Sequence, residues 1–347
     1  MRLTTRAPII LLPFALAASI SGNAQRQSKP TNAAGVTAAI VKAAQALVAA
    51  LDDAGRSKVQ FPIDGPQKTR WSNLPTGIYK REGLRMGDLT APQRAVVMSL
   101  LQTALSADGY RKVTEIVRGD EILRTGGEGG GRGRGGKLNF GEDEYYLAFV
   151  GTPSTASPWM LQFGGHHLAI NLTMSGSQAS MAPSLPAAQP ATYTFEGKEI
   201  RPLGQENDQA FALINALDAT QRGQAVIGSR VADLVLGPGQ DGRVIQPEGI
   251  RASALSPAQQ TLLLDIIREW AGIMNDAFAE PRMADIRTNL PQTYFAWSGP
   301  TTNGSAAYFR VQGPTLVIEY APQGGGVDHI HTIYRDPTND YGAKFAK

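Results

Sequence analysis

The sequence predicts an α+β protein built as two related halves, in each of which helical hairpins precede an antiparallel β-meander. Three observations support this prediction: an internal repeat, capping boxes that begin helices, and short apolar runs separated by glycine and proline. We expect a single domain over residues 36–347, with its halves at about 88–200 and 204–347.

The N-terminal residues are typical of a secretory signal peptide that ends at Ala24. Arg2 and Arg6 supply a positive start, residues 7–20 are mainly apolar, and small residues stand at 22 and 24. The apolar run is shorter than the roughly 20 residues that a membrane-spanning helix needs, and no later run reaches that length. We therefore expect a periplasmic or secreted protein without a transmembrane segment.

Composition limits the classes of function. Removing Arg2 and Arg6 from the 33 basic residues leaves 31 against 30 acidic ones, so we expect no nucleic-acid partner. The chain has no cysteine, so a hydrophobic core rather than disulfides must stabilise it. Residues 25–35 predict a flexible tether, and the glycine-rich residues 126–136 predict a flexible surface loop.

Helix starts are marked by capping boxes, in which a hydroxyl or carboxylate and a glutamine satisfy the free amides of the first turn. The chain has three of them, at Thr90–Gln93, Asp218–Gln221 and Ser256–Gln259. After the third box, apolar residues recur at helical spacing, which predicts a helix face in the core. They are Leu262, Leu263, Ile266, Ile267, Trp270, Ile273 and Met274.

The repeat lies in the predicted meanders. Residues 146–171 align without a gap to residues 294–319, and seven of the 26 positions are identical. Each copy predicts a strand, a loop, a second strand, a glycine break and a third strand. We interpret the match as common ancestry, with chance similarity between two meanders as the alternative.

All four histidines fall in two short motifs, one in each half. His166 and His167 follow two glycines, and the repeat aligns them with Pro314 and Thr315. On a regular strand they would point to opposite faces, whereas a turn or bulge at the glycines would let both converge. Since the second copy lacks them, the shared fold does not require these histidines.

His329 and His331 form an H-x-H motif on a predicted strand, which places both imidazoles on one face, close enough to bind one ion. A metal site that combines them with His167 or His166 is one hypothesis. Hydrogen-bonded packing histidines are another. A metal-free site, in which a histidine base is oriented by Asp336 or Asp340, is the third.

The metal would be Zn²⁺, Cu²⁺ or Fe²⁺, because imidazoles with an open position suit all three. Met174 and Met181 would favour copper if they faced the site, but they are more typical of core packing. Glu206 precedes a predicted helix over 209–217, where its charge suits the helix N-terminus better than a metal. The serines at 157, 175 and 177 lie outside any nucleophile elbow.

Three separated motifs resemble a bacterial and fungal family, domain-of-unknown-function family 3500. They are residues 165–171, residues 202–206, and residues 329–342. The resemblance covers about Trp71 to Tyr341 and implies no particular reaction. Its pattern residues are His166, His167, Asn171, Glu206, His329, His331, Arg335, Asp336 and Asp340.

From the sequence we expect an exported metal-dependent enzyme, a hydrolase or an oxidoreductase, acting on a small molecule. His329 and His331 would bind the ion with one or both of His166 and His167. Asp336 or Asp340 would orient a histidine, and Arg335 would hold an anionic substrate group. The alternative is a non-catalytic periplasmic protein that binds a metal or a small ligand.

Overall fold

The computed structural model describes residues 32–126, 132–133, 136–228 and 230–345. The predicted signal peptide lies outside these residues, as do most of the predicted tether and much of the glycine-rich loop. The first helix begins at Ala33, where the Asn32 side chain accepts a hydrogen bond from the Gly35 amide. The tether prediction therefore extended three residues too far, because this N-cap was overlooked.

The described residues contain eight α-helices and 16 strands, an α+β composition as predicted. The helices are α1 (Ala33–Ala49), α2 (Asp53–Val59), α3 (Ala91–Ala104), α4 (Ala107–Thr125), α5 (Gly204–Ala216), α6 (Ala219–Ala225), α7 (Pro257–Ala271) and α8 (Asp276–Asn289). The strands are β1 (Gln60–Phe61), β2 (Leu84–Arg85), β3 (Arg132–Gly133), β4 (Gly136–Lys137), β5 (Tyr146–Val150), β6 (Trp159–Gly165), β7 (Leu168–Ser175), β8 (Gln178–Ser180), β9 (Leu185–Pro186), β10 (Tyr193–Phe195), β11 (Lys198–Ile200), β12 (Ile250–Arg251), β13 (Tyr294–Ser298), β14 (Tyr308–Gly313), β15 (Leu316–Pro322) and β16 (Ile330–Arg335).

The three predicted capping boxes are present at the starts of α3, α6 and α7. The apolar stripe of α7 is buried, with Leu263, Ile266, Ile267 and Trp270 inaccessible to solvent. Helix α5 begins at Gly204, five residues earlier than predicted, and no side chain caps it. Its start could not be located from a capping residue for that reason.

The two meanders have the same strand pairing. Strands β5, β6 and β7 are antiparallel neighbours in a seven-stranded sheet, and β13, β14 and β15 are antiparallel neighbours in a five-stranded sheet. Their registers correspond residue for residue, since Gly165 pairs with Leu168 in the first meander and Gly313 with Leu316 in the second. This correspondence agrees with the gapless alignment, and common ancestry stays a prediction.

The elements before the meanders also correspond. In the first half β1 pairs in parallel with β5, and in the second Val226, directly after α6, forms a parallel bridge to Trp297 of β13. Helices α1 and α2 thus occupy the places in the first half that α5 and α6 occupy in the second. The predicted start of the first half at about residue 88 leaves out this helical pair.

One short segment joins the two sheets. β9 pairs with β7 of the first sheet, and the residues that flank β9, Ser184 and Ala188, form antiparallel bridges to Tyr334 and Ile330 of β16. A small buried apolar cluster fills the space around this seam, with side chains from both halves. The seam brings the end of the β6–β7 hairpin close to the start of β16.

Candidate metal centre

Both histidine motifs lie beside the seam segment. His166 and His167 form the two-residue turn between β6 and β7, while His329 and His331 lie at the start of β16. The Ala187 amide donates a hydrogen bond to the His167 carbonyl, and the next amide, that of Ala188, donates to the Ile330 carbonyl. Two consecutive amides of the seam segment therefore link two motifs that are remote in sequence.

Three of the four imidazoles meet at one point. The Nε2 atoms of His167 and His329 are 3.0 Å apart, and those of His329 and His331 are also 3.0 Å apart. One nitrogen from each ring can be chosen so that all three lie within 4.8 Å of one another. His167 is buried, whereas His329 is partly exposed, so the cluster opens to solvent on the His329 side.

The turn that presents His167 is conformationally demanding. His167 has φ 61°, a left-handed conformation that costs a non-glycine residue about 1–2 kcal/mol. Its amide donates to the Asn73 carbonyl, and the Tyr145 hydroxyl donates to the His166 carbonyl. Gly165 precedes the turn because a Cβ there would lie 2.8 Å from the Tyr145 ring. These contacts hold the strained turn in place.

Two residues that the sequence did not reveal contact His331. Its Nδ1 atom lies 3.2 Å from Oδ1 of Asp233, and Gln323 Nε2 donates to the same carboxylate oxygen. The Asn73 side-chain amide lies 3.2 Å from His331 Nε2. Asp233 and Asn73 come from loops without a recognisable motif, so no sequence signal pointed to them. With Asp233 on Nδ1, Nε2 is the nitrogen that His331 turns toward His329, and the Asn73 amide also approaches it. A carboxylate on the far ring nitrogen is common for histidines that bind a metal.

Burial keeps two of the three imidazoles, His167 and His329, neutral. Burial lowers the pKa of His167 well below its usual value, and the neighbouring histidines lower it further. Burial, with a smaller contribution from His331, lowers the pKa of His329 to about 4. Asp233 stays ionised, because burial raises its pKa but the hydrogen bonds from His331 and Leu234 outweigh that effect. Neutral imidazoles present the lone pairs that a metal requires.

The residues present fit a metal ion better than a metal-free network. His329 Nε2 takes part in both short contacts, although a neutral imidazole nitrogen offers only one hydrogen or one lone pair. Zinc–nitrogen bonds of about 2.1 Å at a tetrahedral angle put two nitrogens about 3.4 Å apart, close to the spacing here.

His166 does not join this group. Its Nδ1 lies 2.6 Å from Oδ1 of Asp120, and its ring stacks on that of His167 with centroids 3.6 Å apart. The turn brings both histidines together, but only the second one reaches the H-x-H motif. Of the expectation that one or both of His166 and His167 would join the group, the structure brings His167 alone to the H-x-H motif.

The predicted catalytic residues lie elsewhere on β16 and after it. Asp340 accepts hydrogen bonds from Arg335 and from the Asp336 amide, and Asp336 forms an ion pair with Arg282 at 3.3 Å. Arg335 is buried and also donates to the carbonyls of Leu236 and Gly237. The orienting carboxylates are therefore Asp233 and Asp120 rather than Asp336 or Asp340, and Arg335 anchors a loop instead of facing a substrate.

The remaining pattern residues are structural in their contacts. Asn171 is buried and donates to the Pro183 carbonyl. Glu206 lies in the first turn of α5, where its sequence context placed it, and is buried against Lys112, with Nζ and Oε1 2.5 Å apart. Met174 and Met181 belong to the core of the first half, as their sequence context favours.

The comparisons with known proteins identify a family and no function. The family described as protein of unknown function (DUF3500) matches residues 33–343, nearly the whole chain, and the chain belongs to it. No curated protein and no solved structure matches the sequence. Among the helices of the described residues, none combines the length and the apolar character needed to cross a bilayer.

Proposed function

We propose that this member of the DUF3500 family is a metal-dependent enzyme whose ion is held by His167, His329 and His331. The observation that supports this most strongly is the convergence of three imidazoles from the two halves, with His329 Nε2 3.0 Å from the Nε2 atoms of both His167 and His331. Packing histidines have no need to place three acceptor-capable nitrogens against one another. The carboxylate of Asp233 contacts His331 Nδ1 and would hold that ring in the orientation that a bound ion needs.

The donor set and the exposure favour a catalytic zinc site. Three imidazoles with an open fourth position are typical of catalytic zinc, and such an ion polarises a substrate oxygen or supplies hydroxide near neutral pH. The partial exposure of His329 leaves room for water or substrate. Copper and iron accept the same donors and would be identified by the analysis below. The signal-like residues 1–24 lead us to propose that the enzyme acts outside the cytoplasm.

Elemental analysis of untagged protein tests the metal. We expect about one equivalent of zinc in the wild type after reconstitution, and loss of most of it in His167→Gln and His329→Gln/His331→Gln. His166→Gln is the matched control, because it removes an imidazole of the same turn and should keep the metal. Less than about a tenth of an equivalent in reconstituted wild type, or equal loss in His166→Gln, would contradict the proposed ligand set.

Activity separates an enzyme from a binding protein. Carboxylic, phosphoric and sulfuric esters and carbon dioxide hydration are assayed with the zinc-loaded protein, with chelated protein and with the double variant. We expect turnover that is lost in chelator and restored by zinc. Turnover that persists in chelator would indicate a metal-free hydrolase. Bound metal without turnover of any of these substrates would favour the non-catalytic alternative.

A further inference from the structure

A cavity of about 460 Å³ lies beside the candidate metal centre, on the same face of the second sheet. Ser298 pairs with Tyr308, and both side chains line the cavity. Since Phe309 pairs with Tyr320, Tyr308 lies beside Ala321, which in turn pairs with His331. Four residues thus form one row across the sheet, and the cavity floor is about 10 Å, or two strands, from His331.

The loop that lines one side of the cavity also contacts the histidine cluster. Residues 230–232 line the cavity, and the next residue, Asp233, contacts His331. Gln323 links this loop to β15, because its side-chain amide donates to both Asp233 and the Ala321 carbonyl. The cavity and the metal centre are therefore neighbours that share one loop.

Arg230 gives the cavity its charge. A Cβ built on Gly325, another lining residue, would lie 3.4 Å from Nη2 of Arg230, so the guanidinium lies against this glycine corner. Among the described residues Arg230 has neither a carboxylate nor a carbonyl partner, whereas Arg335 and Arg310, on the same sheet, are both paired. Arg230 lines the cavity and is exposed, so its guanidinium is open to a carboxylate that enters from solvent.

The rest of the lining limits the charge and the shape of the ligand. Ile227, Val231, Pro300 and Pro322 supply apolar walls, and the volume lies in the range of small-molecule sites. Among the described lining residues Arg230 is the one that carries a charge, so it can balance a single negative charge on a ligand. We propose that the cavity binds an organic monocarboxylate, with its carboxylate on Arg230 and its apolar body against these walls.

Ligand-observed saturation-transfer NMR with hexanoate tests the proposal, and hexan-1-ol is the neutral matched probe. We expect hexanoate to bind wild-type protein in the millimolar range and at least about tenfold more weakly to Arg230→Ala, since a charge-assisted contact is lost. Arg230→Lys should retain part of the binding. Ala306→Phe, which fills the cavity without changing charge, should abolish it. Arg287→Ala, an arginine on α8 outside the cavity, should have no effect.

The measurements are made with and without a chelator. The result for the carboxylate site then does not depend on whether the proposed metal is bound. Circular dichroism confirms that each variant is folded. Equal binding to wild type and Arg230→Ala, equal binding of the alcohol and the acid, or no transfer at about 10 mM hexanoate would each overturn the monocarboxylate site.

Discussion

The Nε2 atom of His167 lies 3.0 Å from that of His329, although 162 residues separate the two in the chain. One residue belongs to a hairpin turn of the first sheet and the other directly precedes the last strand of the second. Their contact depends on the seam segment 184–188, whose backbone bonds to both sides. The candidate centre therefore depends on the packing of the two halves against each other.

The carboxylate of Asp233 should tune the metal affinity without being a ligand. We expect Asp233→Asn to weaken zinc binding by about 10–100-fold, because a neutral amide oxygen is a weaker acceptor for His331 Nδ1 than the carboxylate and raises the basicity of the ring less. The affinity is measured by competition with a chromogenic chelator. Asp265→Asn, an exposed change on α7, is the control. Unchanged affinity in Asp233→Asn would remove this residue from the site.

The left-handed backbone at position 167 should make a glycine variant more stable than an alanine variant. Glycine normally destabilises a protein relative to alanine, but a left-handed residue reverses that preference. In chelator, we expect His167→Gly to be more stable than His167→Ala by about 1 kcal/mol. Urea unfolding of the two variants measures the difference, with neither binding metal. The opposite order would mean that position 167 relaxes to negative φ.

Acid should destabilise the metal-free protein through the histidine cluster. His329 has a folded-state pKa of about 4, below its unfolded value of about 6.5. The stability it contributes is complete above pH 6.5 and is lost as the pH falls toward 4, because the unfolded chain takes up the proton first. Urea midpoints in chelator should therefore fall less between pH 7 and pH 4.5 in His329→Gln than in wild type. Parallel curves would show that His329 does not carry this dependence.

Replacing only one member of the buried ion pair of Lys112 and Glu206 should strongly lower the stability of the protein. Lys112 Nζ also lies 3.0 Å from Glu269, and in the described chain Oε2 of Glu206 has no partner. We expect Lys112→Met to cost about 3–5 kcal/mol, since it leaves a buried carboxylate uncompensated. Adding Glu206→Gln should recover most of the loss, whereas Lys42→Met on the surface of α1 should cost little. Failure of the second change to restore stability in urea would contradict this account.

Local rules predicted the elements of this fold well, but not the way they meet. The capping boxes located three helices, and the repeat predicted two meanders whose register is the same residue for residue. Helix α5 lacked a capping residue and was placed too late. Periodicity acts over a few residues, so it carries no information about the seam that joins the sheets.

The sequence likewise predicted the local parts of the candidate site but not how they come together. The sequence identified the histidines, because their motifs are local, and it allowed for the turn that brings His166 and His167 together. It could not tell which of the two faces the H-x-H motif, since that depends on φ at position 167. It also assigned the orienting carboxylate to Asp336 or Asp340, which are near in sequence, whereas Asp233 reaches His331 from a distant loop.

The seam gives a bound ion a second role in a chain without cysteine. An ion shared by His167 and His329 would tie together positions 162 residues apart, as a disulfide would in another protein. Closing a loop of that length removes about 5 kcal/mol of conformational entropy from the unfolded chain. The same three imidazoles that would hold the proposed ion would then also act as a removable cross-link, one that a chelator opens and a reductant does not.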